Sequence, residues 1–154
     1  MVRRVTWMAM VVLALPALPA EAQVTFGIRA GASGNPDQFV VGAHVDTPPL
    51  IENLTFRPNV ELGIGNDLTL VALNFEFAYW IPIPDQPWRV YLGAGPAANI
   101  ISFGGGSGRG DDTDVEGGFN IMLGVQHSRG LFTELKVGVI DSPDIKVTVG
   151  WSFK

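Results

Sequence analysis

From Gln23 onward the chain alternates. Apolar residues recur at every second position, a period of two rather than 3.6, which marks strands with two unlike faces and not amphipathic helices. In residues 24–30 the even positions are apolar and the odd ones polar or small. The same pattern runs through residues 39–46, 54–64, 71–79, 88–99, 116–126, 131–139 and 145–153. These segments predict eight strands. Each break between them carries turn chemistry, at residues 33–37, 46–49, 65–67, 82–85, 104–114, 127–130 and 141–144. All but 104–114 are short, so consecutive strands are antiparallel hairpin partners. Eight up-and-down strands close into a barrel, which also removes the edge strands.

Composition narrows the class. Of the 154 residues, 47% are hydrophobic and only 16% charged, against roughly 25% charged in ordinary soluble domains. The chain has no cysteine. That excludes disulfide scaffolds, zinc ribbons, iron–sulfur clusters and thiol catalysis. A net charge of −5, with ten scattered Lys and Arg, argues against nucleic-acid binding. No cofactor and no metal site is implied.

Residues 1–22 read as a secretory signal peptide. Arg3 and Arg4 precede an apolar run from Trp7 to Ala20, and Ala20-Glu21-Ala22 offers a cleavage site before Gln23. The run is too short to span a bilayer as a helix. Residues 23–154 then form one barrel domain. Cleavage removes two of the ten basic and one of the 15 acidic residues, which takes the net charge from −5 to −6.

Alternation does not say which face is wet. A soluble lipocalin-like barrel, with the apolar row inside, is the alternative to a membrane barrel with that row against lipid. Four features favour the membrane. About five apolar side chains per strand overfill an eight-stranded interior. The polar row is rich in glycine, which suits a cramped lumen better than a solvent face. The strand charges balance: Arg29, Arg57, Arg89, Lys136 and Lys146 against Asp46, Glu61, Glu76, Glu116 and Glu134. Buried charges need such partners. Finally, Phe26, Phe56, Trp88 and Phe132 open odd-numbered strands while Tyr79, Trp80, Trp151 and Phe153 close even-numbered ones. These eight share one rim and are expected to form an interfacial girdle.

The second half resembles a known family. The carriers are Tyr79-Trp80-Ile81-Pro82, Arg89-Val90-Tyr91-Leu92-Gly93-Ala94-Gly95, Gly124-Val125-Gln126, Phe132-Thr133-Glu134-Leu135-Lys136 and Val147-Thr148-Val149-Gly150-Trp151-Ser152-Phe153. They are similar to the small outer-membrane β-barrels of Gram-negative bacteria, of the opacity-protein and OmpA-barrel type. The resemblance implies both chain ends in the periplasm and insertion by the barrel-assembly machinery. It also implies contact with outer-membrane lipid and lipopolysaccharide, and a monomer is expected.

Function is less constrained. An eight-stranded barrel is packed rather than porous, so the interior charges read as a structural ion-pair network. A gated channel is the weaker alternative. The expected role is structural, in envelope integrity, with a surface-binding or adhesin-like barrel as second choice. His127, Ser128 and Glu134 match the composition of the His/Ser/Glu set of outer-membrane lipid A deacylases, but the spacing differs and His127 falls at a periplasmic turn. His44 reads as a packed interior residue. Asp37, Asp67, Asp111, Asp112, Asp114, Asp141 and Asp144 face only Arg109 at the outer mouth. This acidic rim is expected to share divalent cations with lipopolysaccharide phosphates.

Overall fold

A computed structural model describes residues 23–66, 68–103, 113–140 and 143–153. Residues 1–22, Asp67, Arg109, Asp111, Asp112, Asp141 and Lys154 lie outside the described residues. The strands are β1 (Thr25–Gly34), β2 (Gln38–Asp46), β3 (Leu54–Ile64), β4 (Leu68–Pro82), β5 (Trp88–Phe103), β6 (Thr113–His127), β7 (Leu131–Ile140) and β8 (Ile145–Phe153). They form a closed barrel in chain order. Every neighbour pair is antiparallel, and β1 closes on β8.

The registers fix the stagger. Followed through β2, β3 and β4, the pairing leads from Arg29 to Gly42, Glu61, Ala72 and then Asn99 on β5. Followed the other way, it leads to Gly150, Phe132, Gln126 and then Arg89, also on β5. Asn99 and Arg89 are ten residues apart, and this offset is the shear of the barrel. Such a stagger corresponds to strands tilted by about 40°.

The two faces of the wall separate by parity. Arg29, His44, Asp46, Arg57, Asn59, Glu61, Asn74, Glu76, Glu134, Lys136 and Lys146 are buried in the lumen. Phe26, Ile28, Phe75, Phe77, Leu92, Ile121, Leu123, Val147 and Val149 are exposed on the outer wall. The charges lie inside and the apolar row outside, so the lipocalin-like alternative is corrected. Hydrocarbon is the solvent that such an exterior matches.

Glycine makes the lumen fit. Gly27 pairs with His44, Gly124 with Tyr91 and Gly150 with Phe132. A Cβ at these glycines would lie 2.2, 2.1 and 2.4 Å from the ring opposite. Each of these three rings therefore lies over a glycine on a neighbouring strand. The β4–β5 ladder is interrupted between Asn74↔Ala97 and Phe77↔Ala94, where Pro96 lacks a donor.

Candidate functional site

The lumen is filled by one connected polar network. Glu61, on β3, receives Arg29 at 3.4 Å and Lys136 at 3.1 Å, and it also binds Lys146. Glu134, on β7, receives Arg29 Nη1 at 2.7 Å and the Tyr91 hydroxyl at 2.7 Å. Lys136 also reaches Glu76 at 2.8 Å. Arg57 pairs with Asp46 at 3.2 Å. Asn120 donates to Asn74 at 2.9 Å, Asn74 to Asn59 at 2.8 Å, and Asn59 to Glu76 at 2.7 Å.

Parity explains this convergence. Lumen positions recur every two residues, and the stagger brings different strands to a common depth. Arg29, Arg57, Lys136 and Lys146 are buried opposite Asp46, Glu61, Glu76 and Glu134, four of each sign. The network is neutral as a unit. In a low-dielectric lumen this satisfies each charge and makes removal of any one partner costly.

Two residues expected in the network stand apart from it. Arg89 is half-buried near the rim that carries the chain ends, with its guanidinium 4.4 Å from the Trp80 ring. Glu116 is half-buried towards the opposite mouth. Neither takes part in an ion pair among the described residues. The expected network of five charges of each sign is corrected to four of each, because the stagger carries these two beyond the reach of the central cluster.

Two girdle assignments are also corrected. Trp80 and Phe132 are buried in the lumen. Trp80 Nε1 donates to Thr55 Oγ1 at 3.0 Å. The Arg57 guanidinium lies 5.1 Å from the Phe132 ring and 4.8 Å from that of Tyr91. These rings face cations rather than lipid, a favourable contact once water is excluded. Phe26, Tyr79, Trp88, Trp151 and Phe153 are exposed on the outer wall. Phe56 is half-buried, 5.1 Å from Phe77. Phe26 and Phe153 stack across the β1–β8 seam, 6.4 Å apart.

The catalytic candidates are not brought together. His127 has outward parity in β6, 4.8 Å from Trp88, and its Nδ1 accepts from the Arg129 amide at 3.1 Å. Glu134 is buried on the other face of the wall. His44, Ser152 and Asp46 also approach one another in the lumen. Ser152 Oγ lies 3.2 Å and Asp46 Oδ2 3.6 Å from the same nitrogen, His44 Nε2. A nucleophile–base–acid relay needs both ring nitrogens, so this is packing.

Asp37, Asp114 and Asp144 are exposed at the mouth away from the chain ends. Asp144 Oδ2 accepts from Asn35 Nδ2 at 2.7 Å, which ties two turns together. Among the described residues no group of three or more acids or histidines is spaced to hold a metal ion.

The sequence expectations passed over Tyr91 and the asparagine chain. Their inward parity was the available signal.

No protein-family model matches the chain, and no curated protein sequence matches it. Solved structures do. The N-terminal β-barrel domain of Pseudomonas aeruginosa OprF aligns with a TM-score of 0.58 at 15% identity, over 86% of this chain and 99% of that one. Neisserial surface protein A aligns with a TM-score of 0.58 at 16% identity, over 86% and 95%. The outer membrane enzyme PagL aligns with a TM-score of 0.53 at 12% identity, over 84% and 98%. Closed eight-stranded topology, inverted polarity and these likenesses define the class. The chain has the fold of the small eight-stranded outer-membrane β-barrels.

Proposed function

We propose that this chain is an integral outer-membrane protein with a packed, non-porin interior and a structural role in the envelope. The observation that carries the reading is the neutral lumen network, in which eight buried charges pair among themselves around Tyr91 and Phe132. Such a plug leaves no aqueous path and braces the wall from within. Export through the signal peptide at residues 1–22 and insertion by the barrel-assembly machinery supply the route. Lipid and lipopolysaccharide surround a monomeric barrel. Support for a non-enzymatic role comes from His127 and Glu134 lying on opposite faces of the wall. The described turns between β1 and β2 and between β3 and β4 are short, which offers little area to a protein partner.

Two measurements test this. The protein is expected in the membrane fraction with heat-modifiable gel migration, and recovery as a soluble monomer without detergent overturns the proposal. In planar bilayers no large stable conductance is expected, and sustained openings defeat the packed interior.

A further inference from the structure

A cavity of about 210 Å³ opens at the rim that carries the chain ends, lined by Asp46, Asn53, Thr55, Trp80, Arg89 and Gln126 among others. It is smaller than the roughly 300–1,000 Å³ of drug-sized pockets, so its occupant is small. Three features of its wall specify the chemistry.

The first is charge. The lumen network is neutral with Asp46 counted in it, and Asp46 is held by Arg57 at 3.2 Å. Arg89 therefore has no ion-pair partner of its own among the described residues, and the Asp46 carboxylate of the same cavity wall attracts it only from beyond bonding distance. Its guanidinium lies 4.4 Å from the Trp80 ring, and it donates no hydrogen bond among the described residues. A ring-stacked guanidinium keeps its in-plane N–H fork, and that fork matches a carboxylate.

The second is an orphaned acceptor. Gln126 is 2% exposed, and its Oε1 has no partner in the structure. A buried acceptor of this kind calls for a donor. Arg89 and Gln126 are direct cross-strand partners with the same inward parity, which places their Cβ atoms about 5 Å apart. Carboxylate binder and donor acceptor are thus neighbours.

The third is rigidity. The turn after β2 is fixed by its own bonds. The Thr47 amide donates to the Phe56 carbonyl at 3.0 Å, the Leu50 amide to the Leu54 carbonyl at 2.8 Å, and the Trp80 amide to the Asn53 carbonyl at 2.7 Å. The cavity wall is in place before a ligand arrives, which lowers the ordering cost of binding.

We infer that this cavity binds a small carboxylate carrying an amide N–H on the adjacent carbon, with Arg89 holding the carboxylate and Gln126 Oε1 accepting the N–H. The C-terminus of a peptide and a free N-acyl amino acid share this chemistry. The inference goes beyond the structural role proposed above and rests on the same barrel.

The test is titration of ¹⁵N-labelled protein, folded in detergent micelles, while the Trp80 indole N–H is followed by NMR. N-acetyl-alanine and N-acetyl-alanyl-alanine are expected to shift that resonance saturably. Tighter binding of the dipeptide identifies a peptide terminus as the source; tighter binding of N-acetyl-alanine identifies the free acid. The carboxamide of either probe, and the Arg89→Gln variant, are expected to bind at least tenfold more weakly. Equal binding of acid and carboxamide, unchanged binding by Arg89→Gln, or acetate binding as tightly as N-acetyl-alanine overturns the inference. Failure to fold in detergent counts against the membrane barrel itself. A folded barrel that shows no shift counts only against the site.

Discussion

Glu61 binds Arg29, Lys136 and Lys146, three cations on one buried carboxylate. Glu61→Gln leaves them short of an anion inside the wall. The expected loss is about 3–5 kcal/mol of unfolding free energy, the usual cost of breaking a buried ion pair from one side. Glu116→Gln removes a half-buried acid outside the network, and a change within about 0.5 kcal/mol is expected. Urea unfolding of the two variants in lipid vesicles, followed by tryptophan fluorescence, checks both. Comparable losses from both variants would remove the special place of Glu61. Parity made much of this cluster legible in the sequence, since Glu61 and its cations all fall in the glycine-rich row. The same parity places Trp80 with Glu76 and Phe132 with Glu134. Reading those two rings by their position near strand ends, as an interfacial girdle, overrode the stronger signal. The isolation of Arg89 and Glu116 was not legible, because depth in the lumen depends on stagger between strands and not on order within one.

The eight strands themselves were legible, because turn residues punctuate a strict period of two. Their lengths were less so. The strands β4, β5 and β6 run to 15, 16 and 15 residues, while β2 and β8 have nine. The extra pairs include Ile101↔Asp114 and Ser102↔Thr113, next to a glycine-rich stretch that reads as loop. Nor does a single sequence state the ten-residue shear, which is set by which residues meet across each seam. The seam between β1 and β8 joins the two ends of the sheet, and Gly31 sits on it opposite Thr148. A Cβ on Gly31 would lie 1.9 Å from the Val147 carbonyl oxygen, a backbone atom that cannot turn aside. Gly117 faces open space, and a Cβ there would have nothing within 4 Å. Gly31→Ala is therefore expected to cost about 1–3 kcal/mol, the range of overpacked sites, and Gly117→Ala to have no measurable effect. Unfolding midpoints in the same vesicles compare them. Equal midpoints would mean that the seam yields more easily than its geometry implies.

At the scale of the molecule, the low charge fraction and the polarity of the wall are one fact. A soluble barrel needs charge on its exterior. Here eight of the strand charges turn inward and pair, so the exterior is left to Phe, Leu, Ile and Val. Solubility then has to come from a bilayer, and the even strand number puts both chain ends on one side of it. Both described chain ends lie at one rim with the turn at residues 47–53, and Asp37, Asp114 and Asp144 lie at the other. On the proposed route, export followed by insertion from the periplasm, the chain ends stay on the periplasmic side. The absence of cysteine makes this directly measurable. Asp37 and Glu52 are exposed and stand at opposite rims. Asp37→Cys is expected to react with a membrane-impermeant maleimide on intact cells. Glu52→Cys is expected to react only after the outer membrane is permeabilised, because its turn is screened by the bilayer that the apolar wall spans. The reverse pattern would invert the barrel and put the Arg89 cavity outside the cell. Labelling of both positions on intact cells would mean that no bilayer separates the rims, and the inward turning of the charges would then lose its explanation.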